Sequence, residues 1–189
     1  SGSRSGAATP GSRTDMPIRR RRPSRPSTFI TPRGSGSGLS SSAGSAVTMP
    51  WLDAVPAVLQ LWFPGQELGD ALADVLFGDA EPGGRLPLTF PRRIEDTPAF
   101  GSYPGAGGQE VYAERLHIGY RWYDREGIEP LFPFGFGLGY TTWDLQPVAL
   151  AGEPADGVTV TVAATNRGER AGSDVVQVYV ESPAGDPER

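Results

Sequence analysis

Carboxylates come first among the residues that could do chemistry. Glu67, Asp70 and Asp74 recur at helical spacing, and Glu110 and Glu114 sit in a glycine-rich stretch. A pair of carboxyl groups can share acid and base work, one donating a proton while the other attacks or deprotonates. For the first three, a solvated helix face explains the pattern equally well, since charged side chains are mostly exposed. The two loop glutamates lack a partner base nearby in sequence, so a structural or solvent-facing role outweighs a sugar contact. His117 is the single histidine and no cysteine accompanies it, so neither a metal site nor a disulfide framework is expected. No cofactor is expected either: Gly83-Gly84-Arg85 and Gly105-Ala106-Gly107-Gly108 lack the lysine and helix of a phosphate loop and read as turns.

Aromatic rings are the second chemical resource, because flat rings stack on sugar faces. Tyr120, Trp122, Tyr123, Phe132, Phe134 and Phe136 form one cluster in sequence, for which core packing is the stronger reading. Trp62 and Phe63 are better placed. They end an apolar run just before Pro64-Gly65, and ligands of open α/β sheets gather at the carboxyl ends of strands. These two are the candidate substrate-binding residues, and no residue is assigned a catalytic role.

The elements that would hold these groups follow from periodicity. Ala57–Phe63 is a short apolar run between two prolines, the pattern of a buried strand in a parallel sheet. From Gly65 to Phe77 the period changes: Leu68, Ala71, Leu72, Val75 and Leu76 share one helical face, with Gly78 as the stop. Asp79–Tyr140 is rich in glycine, proline and aromatics and reads as extended segments and long ordered loops. Beyond Trp143 the pattern alternates. Val158, Val160 and Val162 point one way, the turn Asn166-Arg167-Gly168 follows, and Val176, Val178 and Val180 alternate again. These would be the first strands of a β-sandwich, which needs about seven.

The charge is divided. Residues 1–48 carry eight arginines against one acid, and the remainder nine arginines against 21 acids. All 17 basic residues are arginine, which fits a G- and C-rich codon bias better than any single site. The first segment is almost entirely Ser, Gly, Arg, Pro, Thr and Ala, too poor in apolar surface to offset its backbone entropy, and is expected to be disordered. Its run Arg19–Arg22 could attract nucleic acid without specificity. A one-base offset in GC-rich DNA, turning alanine codons into arginine codons and valine codons into serine codons, accounts better for that composition. No nucleic-acid partner is therefore expected. No apolar run reaches membrane-spanning length and no leader is visible, so no membrane partner is expected, and the cytoplasm is favoured over secretion.

Four stretches are similar to the C-terminal half of family 3 β-glucosidases: AGSAVTMPW, VPAVLQLWFPGQELGDALADVLFGDAEPGGRLPLTFP, YAERLHIGYRWYD and PLFPFGFGLGYTTW. The block Val55–Pro91 is the most specific, while FGFGLGY departs from the FGHGLSY frequent in the family. The resemblance implies an α/β class: residues 1–43 as a tail, 44–142 as the end of an α/β-sandwich domain, and 143–189 as the opening of a fibronectin-III-like domain. It also implies retaining hydrolysis of terminal β-D-glucosyl residues of glucosides or oligosaccharides. In the family the nucleophilic aspartate lies on an N-terminal barrel and the acid/base glutamate upstream of the stretch matching Ala43–Trp51. Residues 1–43 contain no glutamate, so both roles are expected to be missing and the chain alone to be inactive. The barrel would be its missing partner. A noncatalytic carbohydrate-binding module is the rival reading.

Overall fold

In a computed structural model the protein is described over residues 38–41, 43–63, 65–153 and 156–180. Expectations for residues 1–37, including the arginine run, lie outside these.

The first sheet is a parallel pair. β1 (Leu39–Ser41) lies beside β2 (Val58–Gln60), in the register Leu39 to Val58 and Ser41 to Gln60. The apolar run from Ala57 does form a strand in a parallel pair, although its ladder ends at Gln60 rather than Phe63. One expectation is corrected here. The disordered tail expected over residues 1–43 is overturned only at its described end, where Leu39–Ser41 lies beside this strand. Ladder bonds use backbone groups, so Ser40 and Ser41 can pair where their side chains suggest no strand. Leu61 extends the contact by donating its N–H to the Ser41 carbonyl at 2.8 Å.

The helix α1 (Leu68–Phe77) follows, as its period demands, and stops at Gly78 with φ of 84°. That left-handed turn suits a residue without a Cβ. Between Leu86 and Phe136 two irregular segments run antiparallel. Phe90 N–H donates to the Phe132 carbonyl at 2.8 Å, and Leu86 N–H to the Phe136 carbonyl at 2.8 Å. This pairing brings together the chain's main core: Met49, Phe90 and Phe132 are buried, and Trp51, Leu52, Trp62 and Phe136 pack around them. The loop-rich stretch also contains a second helix that the poor periodicity concealed, α2 (Tyr120–Glu126), which ends at the left-handed Gly127.

The alternating region forms one antiparallel hairpin, β3 (Trp143–Glu153) with β4 (Gly157–Asn166), irregular between Pro147 and Ala149. A proline cannot donate to the ladder, and strands accommodate it at such irregularities. Val160 and Val162 are half-buried while Thr159 and Thr161 face solvent, as the alternation requires, but Val158 is exposed. The third alternating run is corrected. Residues 171–180 form no strand, and Val176, Val178 and Val180 are exposed, because no neighbouring strand lies beside them among the described residues. An extended segment without a partner has no ladder to join.

Candidate functional site

The carboxyl ends of β1 and β2 open onto the same edge. After β1 the chain continues through Ala43-Gly44-Ser45, and after β2 through Leu61-Trp62-Phe63. Gln60 crosses between them, its amide nitrogen donating to the Ala43 carbonyl at 3.1 Å. Its amide oxygen is buried without a hydrogen-bond partner among the described residues.

Trp62 and Phe63 take opposite sides of this edge. Trp62 adopts a left-handed backbone with φ of 54°, a conformation uncommon for a bulky residue. It turns its ring inward onto Phe90, edge to face, with centroids 6.1 Å apart. Phe63 turns outward and is 83% exposed, its ring lying against Gly44 so closely that any Cβ there would collide with it. One ring therefore belongs to the core and the other stands at the strand edge.

The carboxylates are dispersed. Glu67, Asp70 and Asp74 face solvent beside or along α1, and Glu110 is exposed in its loop. Glu114 differs, being buried with Oε2 unpartnered among the described residues. His117 follows in the same loop, half-buried, its backbone N–H bound to the Glu114 carbonyl at 2.9 Å. Among the described residues no three His, Cys, Asp or Glu side chains gather as a metal site would require.

The aromatic cluster divides: Tyr123 and Phe132 are buried and Phe136 packs against the core, whereas Tyr120 and Trp122 are half-buried and Phe134 is exposed. Phe132 stacks obliquely on Phe136 with centroids 5.1 Å apart, and Tyr120 on Phe134 at 5.4 Å. Trp122 donates its indole N–H to the Asp96 carbonyl at 3.1 Å. Asp96 is a buried acid that sequence reasoning passed over; Arg93 holds its carboxylate at 2.8 Å. The same hydrogen bond and charge raise the Arg93 pKa above its ordinary value. Tyr123 is buried against this acid. Loss of solvation, helped by the Asp96 charge, pushes its phenol up to about 12. The signal for Asp96 was three residues away, since Arg93 and Asp96 stand at i and i+3 around a single helical turn, Ile94–Asp96.

With that geometry in hand, similarity to known proteins is specific. Residues 39–140 match the Glycosyl hydrolase family 3 C-terminal domain, so the match begins at the first residue of β1. A β-glucosidase from Rhizobium radiobacter is 58% identical over 152 residues, covering 77% of this chain and 19% of that protein. A probable β-glucosidase I from Aspergillus flavus is 41% identical over 155 residues, covering 78% of this chain and 18% of that protein. Among solved structures, the β-glucosidase DesR from Streptomyces venezuelae in complex with D-glucose superposes with a TM-score of 0.69 at 42% identity, covering 72% of this chain and 18% of that one. Thermotoga neapolitana β-glucosidase 3B does so at 0.65 and 39%, covering 72% of this chain and 20% of that one. The chain spans about a fifth of the length of the relatives it matches. A match over more than half of the chain, carried by the strand, helix and paired segments that build its core, means that this protein belongs to glycosyl hydrolase family 3.

Proposed function

We propose that the chain forms part of a retaining β-glucosidase that removes terminal β-D-glucosyl residues from glucosides or oligosaccharides. In this reading β1, β2 and α1 belong to an α/β-sandwich domain, and β3–β4 open a fibronectin-III-like domain. Catalysis requires a separate region carrying the nucleophile and the acid/base, because retention needs two carboxyl groups about 5–5.5 Å apart. No residue of this chain receives either role. The substrate-facing element is the edge formed by Trp62 and Phe63, with Trp62 anchoring and Phe63 presenting its ring.

The observation that carries the reading is Phe63: a large apolar ring 83% exposed at the carboxyl end of a parallel pair. Such an edge is where open α/β sheets place their ligands. The packing of Phe132, Phe136 and Tyr123 into the core weakens the rival of a free-standing sugar-binding module built on those rings.

The test is a chimera in which this chain replaces the matching segment of the Rhizobium radiobacter relative. The chimera should hydrolyse a chromogenic β-glucoside, whereas the isolated chain should not. Phe63→Ala in the chimera should raise KM about 2–10-fold, the equivalent of one lost aromatic contact, with kcat nearly unchanged. An unchanged KM would remove Phe63 from the site. Turnover by the isolated chain that vanishes in Glu110→Gln or Glu114→Gln would overturn the assignment of catalysis elsewhere.

A further inference from the structure

The base of the β3–β4 hairpin is gripped by side chains from the other part of the chain, far away in sequence. Arg85 donates from Nε and Nη2 to Oδ1 of Asp174, at 3.0 and 2.7 Å, across 89 positions. The pair is largely covered, the Arg85 side chain being 11% exposed and that of Asp174 25%. Arg170 reaches back to α1, where its Nη2 donates to the carbonyl of Gly78. A cation belongs at that end, because the last carbonyls of a helix are unpaired and its dipole is negative there.

Tyr140 is the centre of the same grip. Its phenol donates to the Val75 carbonyl in the last turn of α1, and its backbone N–H lies 3.1 Å from both carboxylate oxygens of Glu81. The Arg170 guanidinium stands over its ring, 4.9 Å from the centroid. Burial raises the Tyr140 phenol above its ordinary pKa, the Arg170 charge opposes this and the Glu81 charge adds to it. Where the hairpin begins and ends, Arg167 donates its N–H to the Thr142 carbonyl at 2.8 Å, and the Asn166 amide donates to the Arg170 carbonyl at 2.7 Å. Gly172 allows the close approach: a Cβ there would stand 2.7 Å from Thr141 Cγ2 and 2.9 Å from Glu81 Oε1.

We infer that residues 166–174 are a clasp that locks the β3–β4 hairpin onto the C-terminal end of α1, so that the junction at Thr142–Trp143 is not a free hinge. Three features converge on this. Charge-assisted contacts join positions 59 to 92 residues apart. Both ends of the hairpin are held within one small region. The glycine at 172 gives the strap room to lie flat. The clasp also grips the helix that directly follows the Trp62–Phe63 edge, so it fixes the hairpin relative to the proposed substrate-facing part of the fold. This holds whether or not Phe63 meets a sugar.

Trypsin provides the test, because Arg167 and Arg170 are themselves cleavage sites within the strap. In the full chain at low salt, cleavage after Arg170 should be slow. Asp174→Asn removes the Arg85 ion pair, and Gly172→Ala wedges the strap open without changing any charge. Each should speed cleavage after Arg170 about tenfold or more, while cleavage after Arg121 on α2 stays at the wild-type rate. High salt should accelerate strap cleavage in the wild type and have less effect in Asp174→Asn. Amide exchange at Tyr140 should quicken in Glu81→Gln. Cleavage after Arg170 as fast in the wild type as in the variants would overturn the clasp. So would a parallel rise after Arg121, because the opening would then be global.

Discussion

Replacing Phe90 by alanine should test the core that holds Trp62 in place. Phe90 is 1% exposed, bonded through its backbone to Phe132, and touched edge to face by both Trp62 and Phe132 at centroid distances of 6.1 and 6.3 Å. Full burial of a phenylalanine contributes about 1.5–3 kcal/mol from apolar area alone. The cavity left by truncation adds to this, bringing the expected cost to about 3–5 kcal/mol. Natural domains have a net stability of only about 5–15 kcal/mol, so the variant would lose a large fraction of it. The midpoint of thermal unfolding should fall by about 6–20 °C. Urea unfolding followed by tryptophan emission is a suitable assay, since Trp51 and Trp62 both pack against this cluster and report its exposure directly. Phe63→Ala is the matched control, one residue from Trp62 in sequence but 83% exposed, and should cost no more than about 0.5 kcal/mol. Equal costs for the two variants, or a loss below about 1 kcal/mol for Phe90→Ala, would refute the division into an anchoring and a presenting ring.

Gly69→Ala in α1 should stabilise the chain by about 0.5–1 kcal/mol in the same urea assay, because the position is helical, exposed and open to a methyl group. Spectrophotometric titration should show Tyr123 ionising near 12, and Tyr123→Phe should remove that late step. The folded pKa is raised above the unfolded value of 10.0, so this contribution is complete below pH 10.0 and is lost as pH climbs toward 12. Val178 and Val180 are 58% and 83% exposed on a segment outside any strand or helix, so the isolated chain should self-associate, and Val180→Asp should lower its apparent mass in sedimentation; an unchanged mass would exonerate that segment.

Elements whose signals are local were legible in the amino-acid order. The period of Leu68, Leu72 and Val75 and the stop at Gly78 specify α1 because helix bonds close within four residues. The alternation of Val158, Val160 and Val162 specifies the strand β4, but its partner proved to be Trp143–Glu153 before it rather than the alternating run expected after the turn at Asn166-Arg167-Gly168. The family likeness was readable for the same reason, being carried by contiguous blocks. Three features were decided only in the tertiary structure. Leu39–Ser41 became a strand because Val58–Gln60 offered its backbone, a pairing to which serine side chains give no clue. Val176–Val180 has the alternation of a strand and is not one, because a ladder needs a neighbour and none lies beside it among the described residues. Trp62 and Phe63 are chemically alike and adjacent, and nothing in their order says which is core. The left-handed turn at Trp62 settles it, sending one ring onto Phe90 and leaving the other at the edge. The clasp is the extreme case: nothing in the order of residues pairs Glu81, Arg85, Tyr140, Arg170 and Asp174 with one another. Their contacts span 59 to 92 positions, and only the folded chain brings charges so distant into hydrogen-bonding range.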